Sequence, residues 1–212
     1  MELVPAIIAR TGSEAIDKIG LIDKQTDWAH LDIMDGQFAP TVSWQEPDDL
    51  RLMEGRIKLE AHLMVNEPER VLPEWLPVVD RVIVHFEAMT DLSEMIETFK
   101  LHRNELGVAL LLETPVEALK EYWSGIDFVN LLSVKKIGYH GEPFDERVLD
   151  KIRALRQLAP SVTISVDGGI NLENAQAVIV AGADRLVAGG ALWRATDLNQ
   201  AIKDFNKLNV SL

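Results

Sequence analysis

Residues 28–36 read WAHLDIMDG, and this stretch combines the pattern of a β-strand with polar side chains that a strand interior rarely holds. The side chains of a strand alternate between its two faces. The apolar face consists of Ala29, Leu31 and Ile33. The opposite face consists of His30, Asp32 and Met34. Burying a His and an Asp is costly unless they pair with each other or bind a metal, so the stretch predicts a buried ion pair or part of a metal site.

The same order of a short apolar run, a turn and an amphipathic stretch recurs along the chain. The apolar runs predict eight strands, at Leu3–Ala9, Trp28–Met34, Ile57–Val65, Arg81–Phe86, Gly107–Leu112, Phe128–Val134, Val162–Val166 and Arg185–Ala188. The helical patterns include Ser13–Lys24, Leu92–Asn104, Pro115–Trp123, Glu146–Leu158, Leu172–Ala181 and Leu198–Leu208. Strands that alternate with helices indicate βαβ units and a parallel sheet.

Two parallel arrangements are compatible with this alternation, an open doubly wound sheet and a closed barrel. An open sheet that binds a nucleotide usually carries a Gly-x-Gly-x-x-Gly turn after its first strand, whereas residues 9–13 read ARTGS. Eight evenly spaced units favour the barrel, although 212 residues is at its short end. We therefore expect an α/β protein whose residues 1–212 form a single (β/α)8 TIM-barrel domain.

The composition excludes several classes of protein. The chain has no cysteine, which rules out disulfides, thiolate metal sites and cysteine nucleophiles. Its 34 acidic and 21 basic residues give a net charge of −13, which disfavours binding to nucleic acid or anionic membranes. No apolar run approaches the roughly 18 residues that span a bilayer, and the N-terminus lacks the pattern of a secretory signal. We expect a cytoplasmic protein with neither nucleic-acid nor membrane partners.

Two further predicted strands place polar residues on one face, as the first stretch does. The third strand carries Lys58, Glu60, His62 and Met64 on that face, and the seventh carries Thr163, Ser165 and Asp167. The carboxyl ends of the strands are where barrel active sites are built. Two imidazoles and two carboxylates meeting there could hold a divalent ion such as Zn²⁺, Mn²⁺, Fe²⁺ or Co²⁺. The candidate ligands are His30, Asp32, His62 and Asp167.

The remaining histidines have weaker patterns. His85 and Glu87 share a face at the end of the fourth strand and could reach the same pocket. His102 lies in a helical pattern, which predicts a surface position. His140 lies in the loop after the sixth strand and could face either substrate or solvent.

Glycine pairs follow the seventh and eighth strands. Residues 167–171 read DGGIN, and residues 187–191 read VAGGA. Glycines let a ligand approach the backbone N–H groups closely, and many barrels bind a phosphate after these two strands. The pattern therefore predicts an anion site, although the glycines could also serve only to make tight turns. The candidate residues are Gly168, Gly169, Gly189 and Gly190.

Six stretches together form a family pattern. They are HLDIMDGQFAP (30–40), AHLMVNEPE (61–69), VIVHFEA (82–88), GVALLLETPVEAL (107–119), VDGGINLENA (166–175) and AGADRLVAGGALW (181–193). With these stretches the chain resembles the ribulose-phosphate 3-epimerase family along nearly its whole length. The resemblance implies a (β/α)8 barrel, in agreement with the count of eight strands.

The resemblance also implies a reaction. Members interconvert D-ribulose 5-phosphate and D-xylulose 5-phosphate in the pentose phosphate pathway, bind one divalent metal ion and form dimers or larger assemblies. Inverting carbon 3 requires one carboxylate to remove a proton beside the carbonyl and another to return one to the opposite face of a cis-enediolate. A metal ion stabilises that enediolate. By resemblance, the four candidate ligands fall on the family's metal ligands, and its two acid/base carboxylates fall on Asp32 and Asp167.

The substrate-holding residues match the family less well. Met34 and Met64 would line the pocket, although methionine more often fills a core. Where the family has a glycine-rich clamp over the substrate, residues 135–142 read KKIGYHGE. We place Gly138 and Gly141 of this loop among the substrate-binding candidates, and Lys135 or Lys136 could supply charge to the phosphate. Further departures are Ala6 where the family has Ser, Leu132 where it has Met and Gly190 where it has Ser.

These departures leave three alternatives to the ribulose phosphate reaction. The chain could epimerise another ketose phosphate, such as a six-carbon one. It could be a non-catalytic barrel that kept a metal site, although a complete pair of carboxylates argues against this. It could also be another phosphate-binding barrel, since the fold alone does not define a function.

Overall fold

A computed structural model describes residues 1–53, 57–139 and 141–208, and it has a closed barrel of eight parallel strands. The strands are β1 (Glu2–Ile7), β2 (Trp28–Met34), β3 (Lys58–Met64), β4 (Arg81–His85), β5 (Glu105–Leu110), β6 (Phe128–Leu132), β7 (Thr163–Asp167) and β8 (Arg185–Ala188). Each strand pairs with the next, and β8 pairs back to β1. The predicted (β/α)8 barrel is confirmed.

Helices cover the outside of the barrel. The α-helices are α1 (Gly12–Ile22), α2 (Leu72–Trp75), α3 (Leu92–Phe99), α4 (Arg147–Leu158), α5 (Ala175–Ala181), α6 (Gly190–Trp193) and α7 (Leu198–Asn206). Short 3-10 turns lie at Pro47–Leu52, Pro68–Arg70, Phe86–Ala88 and Val116–Leu119. No helix of the described residues is long and apolar enough to cross a bilayer.

The predicted helix Pro115–Trp123 is wrong, because this segment forms only a 3-10 turn at Val116–Leu119. Its backbone hydrogen bonds span three residues, as in the bond from the Tyr122 N–H to the Leu119 carbonyl. Val116 and Leu119 are buried, and Tyr122 packs against the same core. Apolar residues spaced by three align along a 3-10 helix rather than along an α-helix.

The barrel separates two layers of buried residues. The outward-facing strand residues Leu31 and Ile33 share one large apolar cluster with Ile19 and Ile22 of α1. This layer between strands and helices explains the apolar face of residues 28–36. The inward-facing residues form only small apolar clusters, which leaves room for the polar side chains described below.

The amino ends of the strands hold a buried charged network. The Arg81 guanidinium lies 3.2 Å from Glu60 Oε2 and 2.6 Å from Glu105 Oε2. Its central carbon lies 3.2 Å from the ring centroid of Trp28, which is a cation–π contact. Arg81 and Glu60 are both almost fully buried, so each of the two charges is stabilised by its pairing with the other. The network fixes Glu60 beneath the candidate site.

Replacing Gly107 by alanine is expected to destabilise the barrel by about 1–3 kcal/mol, because an added methyl group overpacks its interior. A Cβ at Gly107 would lie 2.6 Å from Cε2 of the buried Phe128 ring. Urea unfolding measures the change. Gly20→Ala is the matched control, since a Cβ there meets nothing within 4 Å and alanine favours the helix. Equal unfolding midpoints for the two variants would contradict the expected clash.

Candidate active site

The predicted metal ligands meet at the carboxyl ends of the strands. The register of the parallel pair β2 and β3 sets Asp32 beside His62 and Met34 beside Met64. Asp167 ends β7 on the other side of β1 and β8. One ligand atom from each of the four candidate residues lies within 4.8 Å of the others. The prediction that these side chains converge is therefore correct, and they form a cluster able to bind a metal.

The spacing of the donor atoms suits a small divalent ion. His30 Nε2 lies 3.1 Å from both His62 Nδ1 and Asp32 Oδ1. Asp167 Oδ2 lies 3.3 Å from His62 Nδ1 and 3.7 Å from His30 Nε2. Four ligands at the usual distances around a tetrahedral Zn²⁺ would be about 3.3 Å apart. The residues present therefore fit a metal with mixed nitrogen and oxygen ligands.

His30 is oriented by a carboxylate below it. Its Nδ1 lies 2.7 Å from Glu60 Oε1, and the other carboxylate oxygen of Glu60 pairs with Arg81. A proton on Nδ1 would donate to Glu60 and leave the Nε2 lone pair facing the cluster. Metal-binding histidines commonly have such a carboxylate partner. Residue types alone did not single out Glu60, although its inward-facing position was apparent from the alternation of β3.

His62 is held from its other side by His85. Its Nε2 lies 2.9 Å from His85 Nε2. His85 Nδ1 lies 3.4 Å from Glu87 Oε2, and Glu87 Oε1 accepts the N–H of Leu111 at 2.9 Å. His85 and Glu87 thus reach the site through His62 rather than by lining the cavity.

The charges of the cluster shift its pKa values. Burial opposes the protonation of His30, but Asp32, Glu60 and Asp167 outweigh burial and raise its pKa well above the usual value. Burial would raise the pKa of Asp32, yet the two neighbouring histidines lower it. Burial lowers the pKa of His85 to about 4, so this ring is neutral at pH 7 and can accept a hydrogen bond from His62.

We expect His85→Leu to weaken the binding of Zn²⁺ or Mn²⁺ by about 10- to 100-fold, the usual effect of losing a partner of a metal ligand. Leucine cannot accept a hydrogen bond from the Nε2–H of His62, so the His62 ring is no longer held in its orientation. Calorimetric titration of the metal-free protein measures the change, and melting curves verify folding. The exposed His102 supplies the control variant His102→Leu. Equal metal affinities in the two variants would show that His85 only fills space.

A cavity of about 220 Å³ opens above the cluster. Its lining includes Asp32, Asp167 and the predicted residues Gly141, Gly168, Gly169, Gly189 and Gly190. Gly168 and Gly169 have φ values of 114° and 65°, which residues other than glycine rarely adopt. The backbone N–H groups of the four glycines after β7 and β8 donate to no acceptor in the described part of the chain. They are available to an anion.

Other candidates lie outside this lining. Met34 and Met64 are buried together with Ala39, and Gly138 packs against Met34. Lys135 is exposed and lies 3.8 Å from Asp145, and neither it nor Lys136 lines the cavity. His102 is exposed, as predicted. His140 lies outside the described residues.

Fold and site define the class of protein. A barrel whose carboxyl end carries a cluster able to bind a metal, beneath a cavity bordered by glycine loops, is typical of TIM-barrel enzymes. The cluster and the cavity also share two carboxylates, Asp32 and Asp167.

Comparison with known proteins gives the family. Residues 2–193 match the model of the ribulose-phosphate 3-epimerase family. The ribulose-phosphate 3-epimerase of Bacillus subtilis is 32% identical over 213 residues, which cover 96% of this chain and 97% of that protein. The Synechocystis protein of the same name is 32% identical and covers 94% of this chain and 90% of its own length. The chain therefore belongs to the ribulose-phosphate 3-epimerase family and is an isomerase.

Solved structures support the fold independently. The 3-hexulose-6-phosphate synthase of Salmonella typhimurium superposes with a TM-score of 0.74 over 98% of both chains, at 15% identity. At this identity the likeness shows a shared fold alone.

Proposed function

We propose that the protein interconverts D-ribulose 5-phosphate and D-xylulose 5-phosphate by inverting carbon 3. The observation that carries this proposal is the position of Asp32 and Asp167. Both carboxylates line the one cavity that also borders the glycine loops, and both contact the two buried histidines. Inversion beside a carbonyl needs two proton-transfer groups at one substrate carbon, and this arrangement supplies them.

The two aspartates act as the acid and the base. One carboxylate accepts the proton from carbon 3, which leaves a planar cis-enediolate. The other carboxylate, protonated, donates to the opposite face of carbon 3 and thereby inverts it. The lowered pKa of Asp32 favours its ionised form, in which it can act as the base for one of the two epimers. The same two groups exchange roles in the reverse reaction.

His30, Asp32, His62 and Asp167 would hold one divalent ion, with Zn²⁺, Fe²⁺, Mn²⁺ and Co²⁺ all compatible with the ligand set. When bound, that ion supplies positive charge to the substrate oxygens on which negative charge develops. Glu60 and His85 keep the two imidazoles in position for it. Met34 and Met64 are buried outside the lining of the cavity, and their contact with the substrate stays a prediction.

The phosphate group would lie at the glycine loops. Backbone N–H groups after β7 and β8 that have no acceptor in the described ranges can donate to phosphate oxygens, and the absence of a side chain on the four glycines lets those oxygens come close. A cytoplasmic location, a homo-oligomeric assembly and the absence of nucleic-acid and membrane partners stay predictions.

Proton exchange at carbon 3 tests the proposal. The metal-loaded protein is incubated with D-ribulose 5-phosphate in D₂O, and NMR follows deuterium at carbon 3 together with the formation of D-xylulose 5-phosphate. We expect both. Absence of exchange with metal bound would contradict the proposal, and exchange in a six-carbon ketose phosphate alone would favour the alternative substrate.

A further inference from the structure

We propose that Arg194 binds the phosphate group of the substrate and is the residue that makes the site specific for a phosphorylated ketose. This inference rests on the proposed function, because it names the residue that recognises one part of that substrate. Arg194 directly follows α6 and lines the same cavity as Asp32 and Asp167.

The guanidinium of Arg194 lies between the loop after β6, which holds Gly141, and the loop after β8, which holds Gly190. A Cβ added at Gly190 would lie 2.9 Å from Arg194 Nη2, and a Cβ added at Gly141 would collide with Arg194 Nη1. Both loops therefore lack side chains where the guanidinium lies. Gly190 belongs to the glycine pair whose N–H groups have no acceptor among the described residues, so the cation and these donors can reach one ligand together.

The guanidinium of Arg194 is also without a hydrogen-bond or ion-pair partner within the described residues. The side chain of Arg194 forms no hydrogen bond or ion pair with any residue in the ranges 1–53, 57–139 and 141–208. It is unpaired there although the chain has 34 acidic residues. Other arginines illustrate the contrast, since Arg147 pairs with Asp145 and Arg156 pairs with Asp184. All donors of the planar guanidinium fork therefore remain available for a ligand, and this fork matches two phosphate oxygens.

The charge of the cavity also points to Arg194. Asp32, Asp167 and Glu142 line it, and they would repel a dianion. Among the lining residues that the structure describes, Arg194 alone carries a permanent positive charge. The two lysines of the preceding loop do not line the cavity, so they cannot take this role in the described conformation.

The test compares the binding of inorganic phosphate to the metal-loaded protein and to its Arg194→Gln variant by calorimetry. We expect the variant to bind phosphate about 10- to 50-fold more weakly, the range for loss of a charge-assisted contact that is partly open to solvent. Arg194→Lys should give an intermediate affinity, because it keeps the charge and loses the fork. Arg153→Gln, which removes an equal charge from the exposed surface of α4, should bind phosphate as the unsubstituted protein does.

Kinetics separate this inference from the proposed function. With D-ribulose 5-phosphate, Arg194→Gln should raise KM about 10- to 50-fold and change kcat by less than about threefold, because Arg194 contacts the phosphate and not carbon 3. Phosphate binding that depends on Arg194 without any epimerisation would retain the inference and refute the proposed reaction. Epimerisation with an unchanged KM, or phosphate binding that is absent or equal in both proteins, would overturn the role of Arg194.

Discussion

Asp167→Asn is expected to lower kcat for epimerisation by at least about 10³-fold, because an amide can neither accept nor deliver the proton at carbon 3. The remaining carboxylate, Asp32, can still remove a proton from the face of the substrate that it contacts. The variant should therefore exchange the carbon 3 hydrogen of one epimer with D₂O and return deuterium to the same face. Exchange without inversion is the result that distinguishes two carboxylates acting on opposite faces from a single base.

Asp32→Asn should give the complementary result, with exchange confined to the other epimer. NMR in D₂O, started separately from D-ribulose 5-phosphate and D-xylulose 5-phosphate, measures both outcomes. Metal content is determined for each variant, since both aspartates are candidate ligands and asparagine keeps one oxygen donor. Asp204→Asn, at a half-exposed position of α7 outside the cavity lining, is the control for the same change of residue type. A metal-loaded variant with kcat within tenfold of the unsubstituted protein would remove that aspartate from the mechanism.

The alternation of residues 28–36 was sufficient to predict much of this site. A strand has a period of two, so assigning Leu31 and Ile33 to the helix side places His30 and Asp32 inside the barrel. The same alternation of faces places His62 and Asp167 inside the barrel, and the observed cluster confirms that the four candidate ligands meet. The alternation predicts the site here because all eight strands are parallel and their carboxyl ends lie at the same end of the barrel.

The supporting contacts could not be predicted in this way. Glu60 lies under His30 because of the register between β2 and β3, and Arg81 reaches Glu60 from β4. The alternation along a strand predicts which face a residue lies on, but it predicts neither this register nor the direction of a long side chain. Arg194 shows the same limit, since its position depends on a short helix and on two loops distant in sequence. Lys135 and Lys136 were plausible by charge alone, yet neither of them lines the cavity.

Removing the metal is the second change with a large expected effect, and we expect kcat to fall by about 10³-fold or more, since a metal ion contributes several kcal/mol of stabilisation to developing charge. Dialysis against a chelator, followed by addition of Zn²⁺, Mn²⁺, Fe²⁺ or Co²⁺ one at a time, measures the loss and identifies the ions that restore activity. The His85→Leu variant should need more metal for the same recovery. Full activity in protein stripped to below about one metal ion per twenty chains would exclude a catalytic metal.

The affinity for the metal should rise with pH, because the two buried histidines must be unprotonated to bind it. The pKa of His30 in the metal-free protein is raised well above its usual 6.5 because Asp32, Glu60 and Asp167 outweigh burial, and the pKa of His62 is raised as well. A proton on either ring must leave before the metal binds, so affinity should rise by about tenfold per pH unit for each proton displaced. The same protonation stabilises the metal-free fold fully below pH 6.5, and this contribution is lost as the pH rises through the raised pKa values. The increase in Tm on adding metal should therefore grow from pH 6 towards pH 8, and an increase that is independent of pH would show that these histidines are not the ligands.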